Sequence, residues 1–157
     1  MKNLIVFISI LLILVSCNSS KKIQAPETTS SKKSIEGTWK LLTGTLIEKG
    51  DTSVTDYTKG KEFIKIINDD HFAFLSHDLA KGKNADSMFV AGGGGYTFHD
   101  GSYTEHLEYC NDRQWEGNDF SFTVTINNDT LIQKGIEKID SLGVNRLNIE
   151  KYIRLKQ

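Results

Sequence analysis

Tyr96-Thr-Phe-His-Asp-Gly-Ser-Tyr-Thr-Glu-His-Leu-Glu-Tyr109 reads as a β-hairpin. Apolar and polar residues alternate on both sides of Asp100-Gly101, a dipeptide suited to a two-residue type I′ turn because both central positions need positive φ. With those two residues as the loop, counting outward sets His99 against Ser102, Phe98 against Tyr103 and Tyr96 against Glu105. The same count lays the glycine run Gly92 to Gly95 beside Tyr109 back to His106.

Side chains alternate across a strand, so the hairpin has two faces. One carries Met88, Val90, Tyr96, Phe98, Tyr103, Glu105, Leu107 and Tyr109. The other carries Phe89, Ala91, Thr97, Thr104, His106, Glu108 and Cys110. The first is the more aromatic and is assigned to the interior. On strand 120–126, Phe120, Phe122, Val124 and Ile126 point inward by the same logic.

Glu105 is the odd member of that interior face. An unpaired buried carboxylate is costly, so it must be protonated, hydrogen-bonded or paired. Tyrosine hydroxyls and a cation such as Arg146 or Arg154 satisfy it in one reading. In the other, Glu105, Tyr96, Tyr103 and Tyr109, with Leu107 beside them, orient a ligand in an apolar cavity, and the missing side chains of Gly92 to Gly95 make space for it. The glycines equally suit a bulge or sharp coiling at a barrel corner.

Outward from the hairpin, short alternating runs recur to the end of the chain. Strands are expected over 37–47, 62–67, 72–77, 88–98, 102–110, 119–126, 130–139 and 146–155, with a possible ninth around 53–57. No stretch keeps a 3.6-residue period. A sequential antiparallel meander leaves two edges, which closure removes. The expected fold is therefore all-β, an up-and-down antiparallel barrel of eight to ten strands, with a two-sheet sandwich as the alternative.

The N-terminal residues point to the cell envelope. Lys2 precedes an apolar run from Leu4 to Val15, shorter than the ~20 residues that span a bilayer, which reads as a secretory signal over 1–16. Leu14-Val15-Ser16-Cys17 resembles the bacterial lipobox, which implies cleavage before Cys17 and lipidation of its sulfur. Multiple acyl chains anchor stably where one is marginal. Residue 18 is Asn rather than the aspartate associated with inner-membrane retention, so the outer membrane, facing the periplasm, is the expected address. Residues 17–34, rich in Ser, Lys and Thr, read as a flexible tether, and 35–157 as one domain.

Gly37-Thr38-Trp39 at the first strand is similar to the Gly-x-Trp signature of lipocalins and their calycin relatives. Together with Gly-Gly-x-Tyr-x-Phe, Asp-Gly, x-Tyr-Thr-Glu-His-x-Glu-Tyr, Gly117-x-x-Phe120 and Ile149-x-Lys-Tyr-Ile-Arg154, it resembles small bacterial lipocalin-like lipoproteins over residues 35–157. The resemblance implies that Trp39 stacks on Arg154 and closes one barrel end, a structural role.

Several function classes find little support. Lys plus Arg total 19 against 20 for Asp plus Glu, interspersed, which leaves no basic footprint for nucleic acid. With Cys17 lipidated, Cys110 is left without a partner in the chain. It reads as a small buried hydrophobe, or alternatively as a reactive thiol or intermolecular bridge. His106 and Cys110 lie about 13 Å apart along one strand at ~3.3 Å per residue, so one strand cannot supply a catalytic pair or a full set of metal ligands, and another would have to contribute, with His71 or His77 as candidates. No nucleophile elbow or His-Glu-x-x-His motif occurs. The expectation is a non-enzymatic protein without cofactor or metal, binding a small apolar or amphipathic ligand, or else a packed structural or partner-binding barrel. Asp86-Ser87-Met88 and Asp140-Ser141-Leu142 resemble a short O-glycosylation acceptor.

Overall fold

The computed structural model describes residues 34–85 and 87–156. The signal, Cys17, nearly all of the tether and Asp86 lie outside them. The chain forms ten strands: β1 (Gly37–Glu48), β2 (Asp51–Asp56), β3 (Lys61–Ile67), β4 (His71–Asp78), β5 (Phe89–His99), β6 (Ser102–Leu107), β7 (Tyr109–Cys110), β8 (Asn118–Asn127), β9 (Thr130–Ile139) and β10 (Val144–Arg154). Eight of them, β1, β3, β4, β5, β6, β8, β9 and β10, follow one another around an antiparallel sheet that the β1–β10 ladder closes into a barrel. The two extra strands extend it: β2 takes over from β3 along one edge of β1, and β7 continues β6 along β5. Neighbouring barrel strands follow one another in sequence, so sequential antiparallel pairing needs no crossover, and the β3–β4, β5–β6, β8–β9 and β9–β10 turns are two to four residues long. No helix of the described residues is long and apolar enough to cross a membrane.

The central hairpin has the expected turn and register. Asp100 and Gly101 both take positive φ, 48° and 82°, and Tyr96 faces Glu105, Thr97 faces Thr104 and Phe98 faces Tyr103. Past Leu107 the count fails by one. Gly93 faces Tyr109 and Gly92 faces Cys110, so three residues, 106–108, oppose the two glycines 94 and 95. This is a β-bulge, and an inserted residue reverses the in/out phase of everything beyond it. Tyr109, expected inside, is consequently 67% exposed, while Cys110 packs against the core.

The glycine run admits close backbone on both sides, the bulged strand at Gly92 and Gly94 and β4 at Gly93, and leaves no room for a ligand at those three positions. A Cβ on Gly94 would lie 2.0 Å from the His106 carbonyl oxygen, and one on Gly92 would lie 2.5 Å from the Phe74 ring. The extra residue repairs the ladder it breaks: Glu108 N–H donates to the Gly93 carbonyl at 3.0 Å, and its carboxylate accepts the Gly95 N–H at 3.1 Å.

The barrel interior is unequal along its length. At the end where Gly37 pairs with Ile67, the fill is apolar: Ile35, Trp39, Leu41, Ile67, Phe72 and Leu131 are all buried. Arg154 lies opposite Trp39, with its guanidinium 4.0 Å from the indole centroid. Its fork donates to the Glu36 carbonyl and, at 2.7 Å, to the Ser34 carbonyl, while the indole N–H donates to the Ile35 carbonyl at 2.7 Å. The segment leading into β1 is thus wrapped over the barrel end by the same two side chains that fill it.

Candidate functional site

Further along the barrel the interior becomes polar. On β3 the inward residues are Phe63, Lys65 and Ile67, leaving Ile64 and Ile66 on the outer wall, and Ile66 is 40% exposed. Lys65 is 4% exposed and Glu105, on β6, is 7% exposed. Their side chains meet at 2.6 Å, and the Lys65 ammonium also donates to Gln133 Oε1 at 3.1 Å. Glu105 therefore has its protein cation, but it is Lys65. Arg154 is committed to Trp39, and Arg146 pairs with Glu137 at 2.7 Å.

β10 adds the rest of the band. Tyr152, wholly buried, donates its hydroxyl to Glu150 Oε2 at 2.7 Å, and that oxygen lies 3.9 Å from Lys65 Nζ. Asn148 donates to Glu137 Oε1 at 2.7 Å. The Tyr103 hydroxyl, buried beside Glu105, has no well-formed hydrogen bond among the described residues, although the carboxylate is near enough to influence its ionisation.

These groups border a cavity of about 120 Å³. Its polar lining is Lys65, Glu105, Gln133, Glu137 and Glu150; its apolar lining is Phe63, Phe74, Leu107, Phe120 and Phe122, with Trp115 at the rim. Phe63 and Phe74 stack at 5.8 Å, and Trp115 packs on Phe120 at the same distance. Trp115 comes from a 3-10 turn, Arg113–Trp115, between β7 and β8, and the Arg146 guanidinium lies 5.1 Å from its ring centroid. The loop tryptophan is thus folded against the rim.

Of the residues expected to bind a ligand, Glu105 and Leu107 line this cavity. Tyr103 is buried next to it. Tyr96 is elsewhere, with its hydroxyl donating to the Asn68 carbonyl at 2.7 Å in the β3–β4 turn, and Tyr109 is outside. Sequence reasoning missed Lys65, Gln133, Glu137 and Glu150. The demand of Glu105 for a cation was the available signal, and it pointed to a need without naming the donor.

Charge is unbalanced in this band. Burial pulls the Lys65 pKa down, but Glu105, Glu150 and Glu137 outweigh it and hold the ammonium above its ordinary range. Burial pushes Glu105 up, against the pull of Lys65 and helped by repulsion from Glu150. Both directions report one condition, an excess of carboxylate over ammonium in a low-dielectric interior. Tyr152 is raised by burial and then by Glu150, and Tyr103 by burial and then by Glu105.

An alkaline instability follows. Lys65, Tyr103 and Tyr152 all hold their protons more tightly folded than unfolded, so their contribution is complete below the unfolded pKa values, ~10 to 10.4, and is lost as pH rises through the folded ones. The melting temperature is expected to change little from pH 8 to 9 and to fall steadily above about pH 10. Thermal melts across that range check it, and a flat profile to pH 11 would contradict it.

No protein-family model matches the chain, nor does any curated protein.

Proposed function

We propose that this protein is a lipocalin-like binding barrel of the cell envelope, held to the outer membrane by lipid on Cys17, that takes a small amphipathic molecule into its polar-floored cavity. One observation carries the reading: a closed barrel, filled at the Trp39 end, keeps a cavity at the other with aromatic walls and a few convergent polar groups, the composition of small-molecule sites. Each carboxylate is already engaged by a protein group, Glu105 by Lys65, Glu137 by Arg146 and Glu150 by Tyr152 and the more distant Lys65, which fits binding better than catalysis. The anchor rests on the lipobox-like residues 14–17.

A packed structural barrel is the second reading, and the Lys65–Glu105 pair favours it. That pair neutralises Glu105 and occupies the barrel's centre without a ligand. Native mass spectrometry of the full lipidated protein from the cells that make it, with small-molecule extraction, separates the two. A stoichiometric added mass is expected, lost in Leu107→Phe, which puts a ring into the cavity. Bare protein mass with an empty extract would transfer the conclusion to the packed barrel.

A further inference from the structure

The cavity's charge and size together define a ligand class. Three carboxylates line it, Glu105, Glu137 and Glu150, against one lysine. The nearest other cation, Arg146, is taken up by Glu137 and lies over Trp115 at the rim. Lys65 is spent on Glu105 and Gln133. That leaves Glu150 with a hydrogen bond from Tyr152 but, among the described residues, no cation nearer than Lys65 at 3.9 Å, beyond hydrogen-bond reach. A mostly buried carboxylate whose nearest cation, Lys65, makes its hydrogen bonds elsewhere, beside stacked Phe63 and Phe74, offers the two things an organic ammonium uses: an anion to pair with and ring faces to lie against.

Size sets the other limit. An apolar cavity of about 150 Å³ accepts benzene, so about 120 Å³ admits at most one ring, with part of the molecule projecting past the rim. An extended acyl chain does not fit.

We infer that the ligand is a small protonated amine carrying no more than about one ring of apolar surface, its ammonium on Glu150 and its apolar part against Phe63, Phe74 and Phe120. This inference rests on the binding reading above and supplies the class. Lys65 has a part in it as well: by neutralising Glu105 it leaves Glu150 as the carboxylate open to an incoming cation. An anionic ligand of the same size would face three carboxylates against the one lysine that lines the cavity.

Calorimetry on the full chain in detergent micelles, with micelles alone as the blank, compares benzylamine, benzyl alcohol and benzoate at neutral pH. These probes share a ring and differ in charge. Benzylamine is expected to bind at one site at least about tenfold more tightly than benzyl alcohol, a difference of about 1.4 kcal/mol, with benzoate weakest. In Glu150→Gln, benzylamine should fall to the level of benzyl alcohol while benzyl alcohol is unchanged. If benzyl alcohol or benzoate binds as well as benzylamine, the cation assignment is wrong and the binding reading survives. If none of the three binds, both fall. Should Glu150→Gln not fold, the charge series on the unaltered protein decides alone.

Discussion

Lys65→Met will destabilise the barrel by about 3–5 kcal/mol, the cost of leaving a buried charge without its partner. Glu105 is 7% exposed and has one cation at 2.6 Å. Methionine nearly preserves the volume of the lysine stem, so little of the loss comes from packing. The effect belongs chiefly to the orphaned carboxylate, with a smaller part from Gln133 Oε1, which loses its donor, and two consequences separate it from a general core defect. First, Lys65→Met/Glu105→Leu should recover most of the loss, because replacing both members of a buried pair by apolar groups is often neutral or stabilising. Secondly, the single variant should regain stability as pH falls. Burial already raises the Glu105 pKa in the intact protein, and without Lys65 it rises further, so the folded state binds a proton that the unfolded chain releases. That term is fully present below the ordinary glutamate pKa and is lost as pH rises through the folded one. Urea unfolding of the four proteins of the cycle, at pH 5 and pH 7.5, measures both. A single variant within about 1 kcal/mol of the parent at pH 7.5, the worth of an ordinary hydrogen bond, would mean that Glu105 has another way to shed its charge.

The residues that set the fold were legible because each acts locally. Asp100-Gly101 specifies its own turn, and the alternation on either side carries register for as long as pairing is regular. The strand phases on β8 could be read for the same reason, since Phe120, Phe122 and Val124 are all buried. The bulge at Glu108 broke the count. It is accommodated at Gly92 and Gly94, which let the bulged backbone come close, and glycine has no side chain whose pattern could announce which strand bends. Tyr109 was misplaced in consequence. The polar band was hidden by a different cause. On β3, Glu62-Phe63-Ile64-Lys65-Ile66-Ile67 offers two apolar phases of similar strength, and hydrophobicity alone would place Ile64 and Ile66 inside. The actual phase is fixed by a partner 40 residues away: Lys65 turns inward because Glu105 is already there. Long-range pairing of this kind leaves no periodic trace. The cavity inherits that limit, since four of its five polar residues, Lys65, Gln133, Glu137 and Glu150, lie on strands where an inward polar residue reads like an outward one.

Trp39→Ala is expected to be the most damaging change at the closed end, costing about 3–5 kcal/mol. Three losses coincide there. The indole is wholly buried, its N–H satisfies the Ile35 carbonyl at 2.7 Å, and its face carries the Arg154 guanidinium at 4.0 Å. Graded substitutions separate them. Trp39→Phe retains most of the apolar area and a ring for the cation, but leaves a buried carbonyl without its donor, an effect of ~1–3 kcal/mol. Arg154→Lys keeps the charge but cannot reproduce a planar fork that stacks on the indole while donating to both the Ser34 and Glu36 carbonyls. Its loss should approach the ~0.5–2 kcal/mol of a cation–π contact plus part of the two hydrogen bonds. Urea midpoints should therefore fall in the order parent, Arg154→Lys, Trp39→Phe, Trp39→Ala. Because this end is packed and the cavity lies at the other, benzylamine affinity should be unchanged in Arg154→Lys wherever the barrel remains folded. If Trp39→Ala proves as mild as Arg154→Lys, the β1–β10 ladder holds the barrel shut by itself, and the cap serves the approach of the chain rather than closure.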